Sequence, residues 1–108
     1  MLMIRSIVRP DRKDAILAEL SSAGFHAATV VDVVGRGKQK GIKIGSMVYD
    51  EIPKTLILMA VEDGDKDKVI DVILRTARTG EKGAFGDGKI FISPVEEAYT
   101  ISSGLKGL

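Results

Sequence analysis

Apolar and polar positions alternate through "MLMIRSIV", with Met3 or Ile4, Ser6 and Val8 sampling alternate faces, the period of a half-buried strand. Pro10 follows, placed where a helix start loses nothing by its missing N–H. The period then changes: in "DRKDAILAELSSAG", Ile16, Leu17, Leu20 and Ala23 fall on one helical face and Gly24 marks the stop. The β-branched run "AATVVDVVG" (27–35) predicts a second strand. "KTLILMAV" (54–61) is apolar almost throughout and predicts a central strand covered on its helix-facing side. "DGDKDKVIDVILRTARTG" returns to helical spacing, with Val69, Ile70, Ile73, Leu74 and Ala77 as its stripe and Gly80 as its end. "KIFISPV" (89–95) predicts a fourth strand, ended or pushed to an edge by Pro94. The tail, "EEAYTISSGLKGL" (96–108), is expected to pair weakly before fraying.

This order, βαββαβ, predicts an α+β fold on the split-βαβ or ferredoxin-like plan, as one domain spanning 1–108. Two helices on one face of a sheet leave the other face apolar and open, so the pattern predicts an oligomer. One connection is too long for the plan. "GRGKQKGIKIGSMVYDEIP" (35–53) joins strands that a short turn would serve, and structureless loops beyond about 12–15 residues are uncommon unless functional or disordered. Its front is basic (Arg36, Lys38, Lys40, Lys43) and its end carries Asp50 and Glu51. It reads either as a surface loop or as a ligand-ordered arm, about 36–53, that contacts a partner.

Composition narrows the classes. With 16 Lys and Arg against 15 Asp and Glu, the chain lacks the excess positive charge of a nucleic-acid module. No apolar stretch reaches the roughly 18–20 residues of a membrane span, and "MLMIRSIVRPDR" lacks the h-region and cleavage site of a signal peptide. The absence of cysteine fits a cytoplasmic chain and excludes thiolate metal sites, and His26 alone makes a His-based metal site implausible within one subunit.

The densest chemistry lies in "TGEKGAFGDGKIFI". From Gly83, "GAFGDGK" satisfies GxxxxGK, but the position that must supply a Mg²⁺-ligating hydroxyl is Ile90, and the loop runs from helix to strand instead of strand to helix. It is not a P-loop. Glycine-rich backbone can still aim N–H groups at an anion, with Lys89 adding charge. In the ferredoxin-like plan, "GRGKQKG" leaves the same end of the sheet, so two Gly/Lys-rich loops converge on a candidate polyphosphate pocket. Asp63, Asp65 and Asp67 read as helix-capping and dipole-placed acids, and Glu96 and Glu97 as an exposed strand end. No nucleophile–base pair or carboxylate dyad is apparent.

Taken together, "IVRPDRKDAILAELSSAGFHAATVVDVVGRGKQKG", "YDEIPK" and "RTARTG…GDGKIFI" resemble the PII nitrogen-regulatory signal-transduction family over nearly the whole chain. The resemblance implies a homotrimer of ferredoxin-like subunits, not an enzyme, that binds ATP or ADP with Mg between neighbours and senses 2-oxoglutarate. It implies that Gly35, Gly37, Lys38 and Gln39 form the base of the family's T-loop (about 36–53). Gly80, Gly86, Asp87, Gly88 and Lys89 match the B-loop (about 79–88), and Thr29 the residue reaching adenine across the cleft. Gln39, Lys40, Gly41 and Lys54 match the 2-oxoglutarate site, with Gln39 also a ligand of Mg beside the ATP phosphates. The segments "VYDEIPK" and "SPVEEAYTI" are most similar to PII-like proteins of nitrogen-fixation operons, which work with a paralogous partner on nitrogenase. Other expected targets are an ammonium channel or glutamine synthetase.

Three departures stand against that pattern. The T-loop is short and its uridylylated tyrosine has no clear counterpart, Tyr49 lying near the loop's end. "EKGAF" lengthens the B-loop. Two phosphate-binding arginines of the family's tail fall on Thr100 and Ser102, with Lys106 nearby. Two other classes therefore stay open: a weak ATPase or phosphotransferase using Lys89, and a structural trimer with degraded nucleotide binding.

Overall fold

The computed structural model describes residues 1–36, 42–44, 47–49 and 51–108, the two short pieces by their backbone. Strand β1 (Leu2–Val8) leads through a 3₁₀ turn at Pro10–Arg12 into α1 (Lys13–Ser22). Gly24, at φ +96°, ends α1, and the amide of Phe25 returns to the carbonyl of Leu20 at 2.8 Å. Strand β2 (Thr29–Gly35) follows. Next come β3 (Ile42–Ile44) and β4 (Met47–Tyr49), an antiparallel pair that the hydrophobic pattern did not predict. Strand β5 (Ile52–Val61) begins two residues before the apolar run. A second 3₁₀ turn, Asp63–Asp65, opens α2 (Lys66–Ala77), and β6 (Gly88–Pro94) closes the sheet.

The four long strands lie in the order β2-β5-β1-β6, every neighbour antiparallel. With its two helices this is the ferredoxin-like arrangement expected. Strand β6 takes an edge and ends at Pro94, where a missing donor breaks no ladder.

The strand period decides which residues the helices cover. Ile4, Ser6 and Val8 of β1 and Thr55, Ile57, Met59 and Val61 of β5 are buried, against Ile16 and Leu20 of α1 and Val69, Val72, Ile73 and Ala77 of α2. The alternate residues make the other face, where Arg5 pairs with Leu58 and Phe91, and Ile7 with Leu56 and Lys89. Among the described residues nothing covers that face, and Phe91 is 49% exposed.

Two local expectations need correction. In α2, Val72 is buried while Leu74 is 46% exposed. Arg75, one turn beyond Val72, reaches Glu19 of α1 at 3.7 Å, so the buried arc turns toward α1. Leu74 instead borders a groove of about 420 Å³ between α2 and β6, with Ile70, Ile90 and Ile92. The acids before α2 do not cap it: no side chain hydrogen bonds to either helical start there. Asp63 instead accepts from the amine of Met1 at 2.6 Å.

Candidate functional site

One end of the sheet gathers the candidate chemistry. The register sets Val8 beside Thr55 and Gly88, and Gly35 beside Ile52. The last residues of β1 and β2 therefore meet the first residues of β5 and β6. Arg9, Lys54 and the 79–88 loop follow from these positions.

Asp87 organises that loop. Its carboxylate accepts from the Thr79 hydroxyl at 2.6 Å, the Thr79 amide at 3.0 Å and the Ala84 amide at 2.7 Å. Arg9 completes the set: its Nε donates to Asp87 at 3.0 Å and its Nη2 to the carbonyl of Phe85 at 2.8 Å. Burial works against the charge on Asp87. The hydrogen bonds from the hydroxyl and amide of Thr79, the amide of Ala84 and Arg9 outweigh it and hold the carboxyl well below the usual carboxylate range. The inserted stretch "EKGAF" is thus tied into the loop through the amide of Ala84 and the carbonyl of Phe85.

Two glycines are dictated by contact. At Gly88, φ is +120° and a Cβ would lie 1.8 Å from the carbonyl oxygen of Ile7, so only glycine lets β6 begin beside β1. At Gly86, φ is +89° and a Cβ would stand 3.2 Å from Arg9 Nη2 and 3.7 Å from Lys54 Nζ. Gly86 is wedged between two cations, and its carbonyl accepts from Lys54 Nζ. Burial foremost, then the guanidinium of Arg9, lowers the pKa of Lys54, with Asp87 opposing.

The sequence candidates separate into three groups. Lys54, Gly86, Asp87 and Gly88 come together, with Gly35 beside the stem of Lys54, whose Cγ a Cβ there would meet at 3.4 Å. Lys89 is exposed and pairs with Ile7 on β1; Gly80, at φ +67°, lies in the turn after α2. Thr29 begins β2 at the opposite end, about 20 Å from Gly35 at the rise of an extended strand, so one chain does not bring it to the site. Gly37, Lys38, Gln39, Lys40 and Gly41 lie outside the described residues, as does Asp50. In the tail, the amide of Thr100 donates to Leu105 and Lys106 meets Glu97 at 3.5 Å, closing a small hairpin.

Arg9 went unselected in the sequence, where it reads as a strand-end cation before Pro10. The signal was topological: the βαββαβ order sets the end of β1 against the start of β6.

The site sets cations against a glycine-rich loop. Two cations face two loop carbonyls and one carboxylate. No helix is long and apolar enough to cross a membrane among the described residues.

The chain is 52% identical over 108 residues to the nitrogen fixation nifHD region GlnB-like protein 1 of Methanothermococcus thermolithotrophicus, covering all of both chains. It is equally similar, 52% over the full length of both, to the protein of that name from Methanobacterium ivanovii. Nitrogen regulatory protein P-II 2 of Methanothermobacter thermautotrophicus is 40% identical over 111 aligned positions, covering 99% of this chain and 94% of the relative. The profile of the family described as Nitrogen regulatory protein P-II matches residues 1–104, and the chain belongs to that family.

Proposed function

We propose that this chain is a cytoplasmic regulator without catalytic turnover that senses ATP or ADP and 2-oxoglutarate and passes the state to a protein of nitrogen metabolism. The observation that carries the proposal is the convergence of Lys54, Arg9 and the glycine loop at one end of the sheet. A nucleotide's phosphates would lie along the 79–88 loop, with Gly35, Gly80, Gly86, Gly88 and Lys89 around them and Asp87 holding the loop's shape. Gln39 would hold Mg, which would offset the charge of the phosphates, and Lys54 would take a carboxylate of 2-oxoglutarate.

The assembly in this proposal is a homotrimer. The apolar sheet face left open by α1 and α2 supports association, and the distance of Thr29 from Gly35 supports a cleft completed by a neighbouring subunit. The segment 36–53 would carry the signal to the target. The names of the relatives support nitrogen fixation as the setting, with nitrogenase as the first target to test and a paralogous PII-like chain as a candidate partner.

Calorimetric titration of the purified chain with ATP, ADP and 2-oxoglutarate in Mg²⁺ tests the sensor. Binding of Mg·ATP that tightens with 2-oxoglutarate is expected; silence with all three ligands would rule it out. Steady phosphate release abolished by Lys89→Ala would favour the phosphotransferase instead.

A further inference from the structure

We propose that Arg9 is a positioning residue for this site: its guanidinium clamps the 79–88 loop so that the carbonyl of Gly86 holds Lys54, coupling capture of Lys54 by an anion to the position of the loop. The inference rests on the sensor reading above and adds its internal regulation.

The guanidinium of Arg9 forks around the loop. Nε takes Asp87 and Nη2 takes the carbonyl of Phe85, so one rigid planar group fixes the loop on both sides of Gly86. Gly86 is left little freedom to move alone, and its carbonyl meets the ammonium of Lys54. A lysine at this position without the clamp would face a loop whose carbonyls could turn to water. With the clamp, Lys54 is engaged by its own chain before any ligand arrives. An anion that takes Lys54 shares its three N–H donors with the carbonyl of Gly86, and an ammonium drawn toward the anion pulls on that peptide. The consequence is reciprocal coupling: a ligand on Lys54 alters the loop that receives phosphates, and phosphates on the loop alter the availability of Lys54. The inserted residues enter directly, since Ala84 and Phe85 supply backbone groups to Asp87 and Arg9.

The test compares the wild-type chain with Arg9→Ala and Arg9→Lys. In ligand-free protein, hydrogen exchange at the amides of Thr79 and Ala84 and the ¹⁵N resonance of Lys54 Nζ report the clamp. With Mg·ATP, the factor by which 2-oxoglutarate tightens binding reports the coupling. Arg9→Ala is expected to speed exchange at both amides, shift the Lys54 resonance and bring the coupling factor close to one. It should also weaken ATP binding, because the loop that receives the phosphates is no longer held in place. Arg9→Lys keeps the charge but not the fork, and is expected to follow Arg9→Ala in the coupling. Wild-type coupling in Arg9→Lys would overturn the proposal, because charge alone would then suffice. Unchanged exchange and an unchanged Lys54 resonance in Arg9→Ala would overturn it too. Should Arg9→Ala fail to fold, Arg9→Gln carries the same readings. If wild-type protein binds neither ligand, the sensor reading falls by itself, and the ligand-free measurements alone decide whether Arg9 positions Lys54.

Discussion

Strand β1 carries an ion pair at each end, and the two are built differently. At its start the amine of Met1 meets Asp63 at 2.6 Å, with the Asp63 side chain 76% exposed and no other hydrogen bond to that carboxylate among the described residues. At its finish Arg9 meets Asp87 at 3.0 Å, but Asp87 is only 17% exposed and also accepts from Thr79 and Ala84. Distance would rank the first pair higher. Context reverses that order. An exposed pair exchanges water for a partner at little net gain, whereas a carboxylate receiving several backbone and side-chain donors determines the path of the chain around it. The finishing end is also where Lys54 and the glycine loop gather, so rigidity and candidate chemistry coincide.

Substitutions can break this contrast in order of effect. Gly88→Ala should act most strongly, because its Cβ would collide with the carbonyl of Ile7 at a φ of +120°. A loss of about 3 kcal/mol or more is expected in urea unfolding. Asp87→Ala should remove about 2–4 kcal/mol by leaving Arg9, Thr79 and Ala84 without their acceptor. Asp63→Asn, by contrast, should change stability by no more than about 0.5 kcal/mol. Equal losses for Asp87→Ala and Asp63→Asn would erase the distinction between the two ends.

Acid sharpens the comparison. The folded-state pKa of Asp87 lies below its unfolded value, so its contribution to stability is complete above the ordinary carboxylate range near pH 4. That contribution is lost as pH falls below this range. Wild-type protein should therefore lose more stability between about pH 4 and pH 2 than Asp87→Asn does. Parallel curves would contradict the role given to Asp87. A smaller effect is expected at the middle of β1, where the Ser6 hydroxyl is buried with no hydrogen-bond partner among the described residues. Ser6→Ala should raise stability by about 1 kcal/mol.

The sheet and helices were legible because their periods are plain: Ile4, Ser6 and Val8 alternate, and Ile16 and Leu20 recur at a helical turn. What failed was helical detail, since Leu74 and Val72 are both apolar and only the position of α1 decides which is covered. Aspartates before a helix resemble caps, and only the place of Met1 in space shows Asp63 engaged elsewhere. The glycine loop could be located in the sequence, but the contacts that hold it could not. Asp87 belongs to a motif, while its partners Arg9 and Thr79 lie 78 and 8 residues away, and no local pattern joins them. The added "EKGAF", which looks like slack in the sequence, contributes two of the contacts that hold the loop.

The central claim, that this end of the sheet senses nucleotide and 2-oxoglutarate together, is tested most directly by titrating Mg·ATP into wild-type and Lys54→Met protein with and without 2-oxoglutarate. The account predicts ATP binding in both, tightened by 2-oxoglutarate about tenfold or more in wild type and not at all in Lys54→Met, as loss of a charge-assisted contact implies. An identical response to 2-oxoglutarate in the two proteins would contradict it.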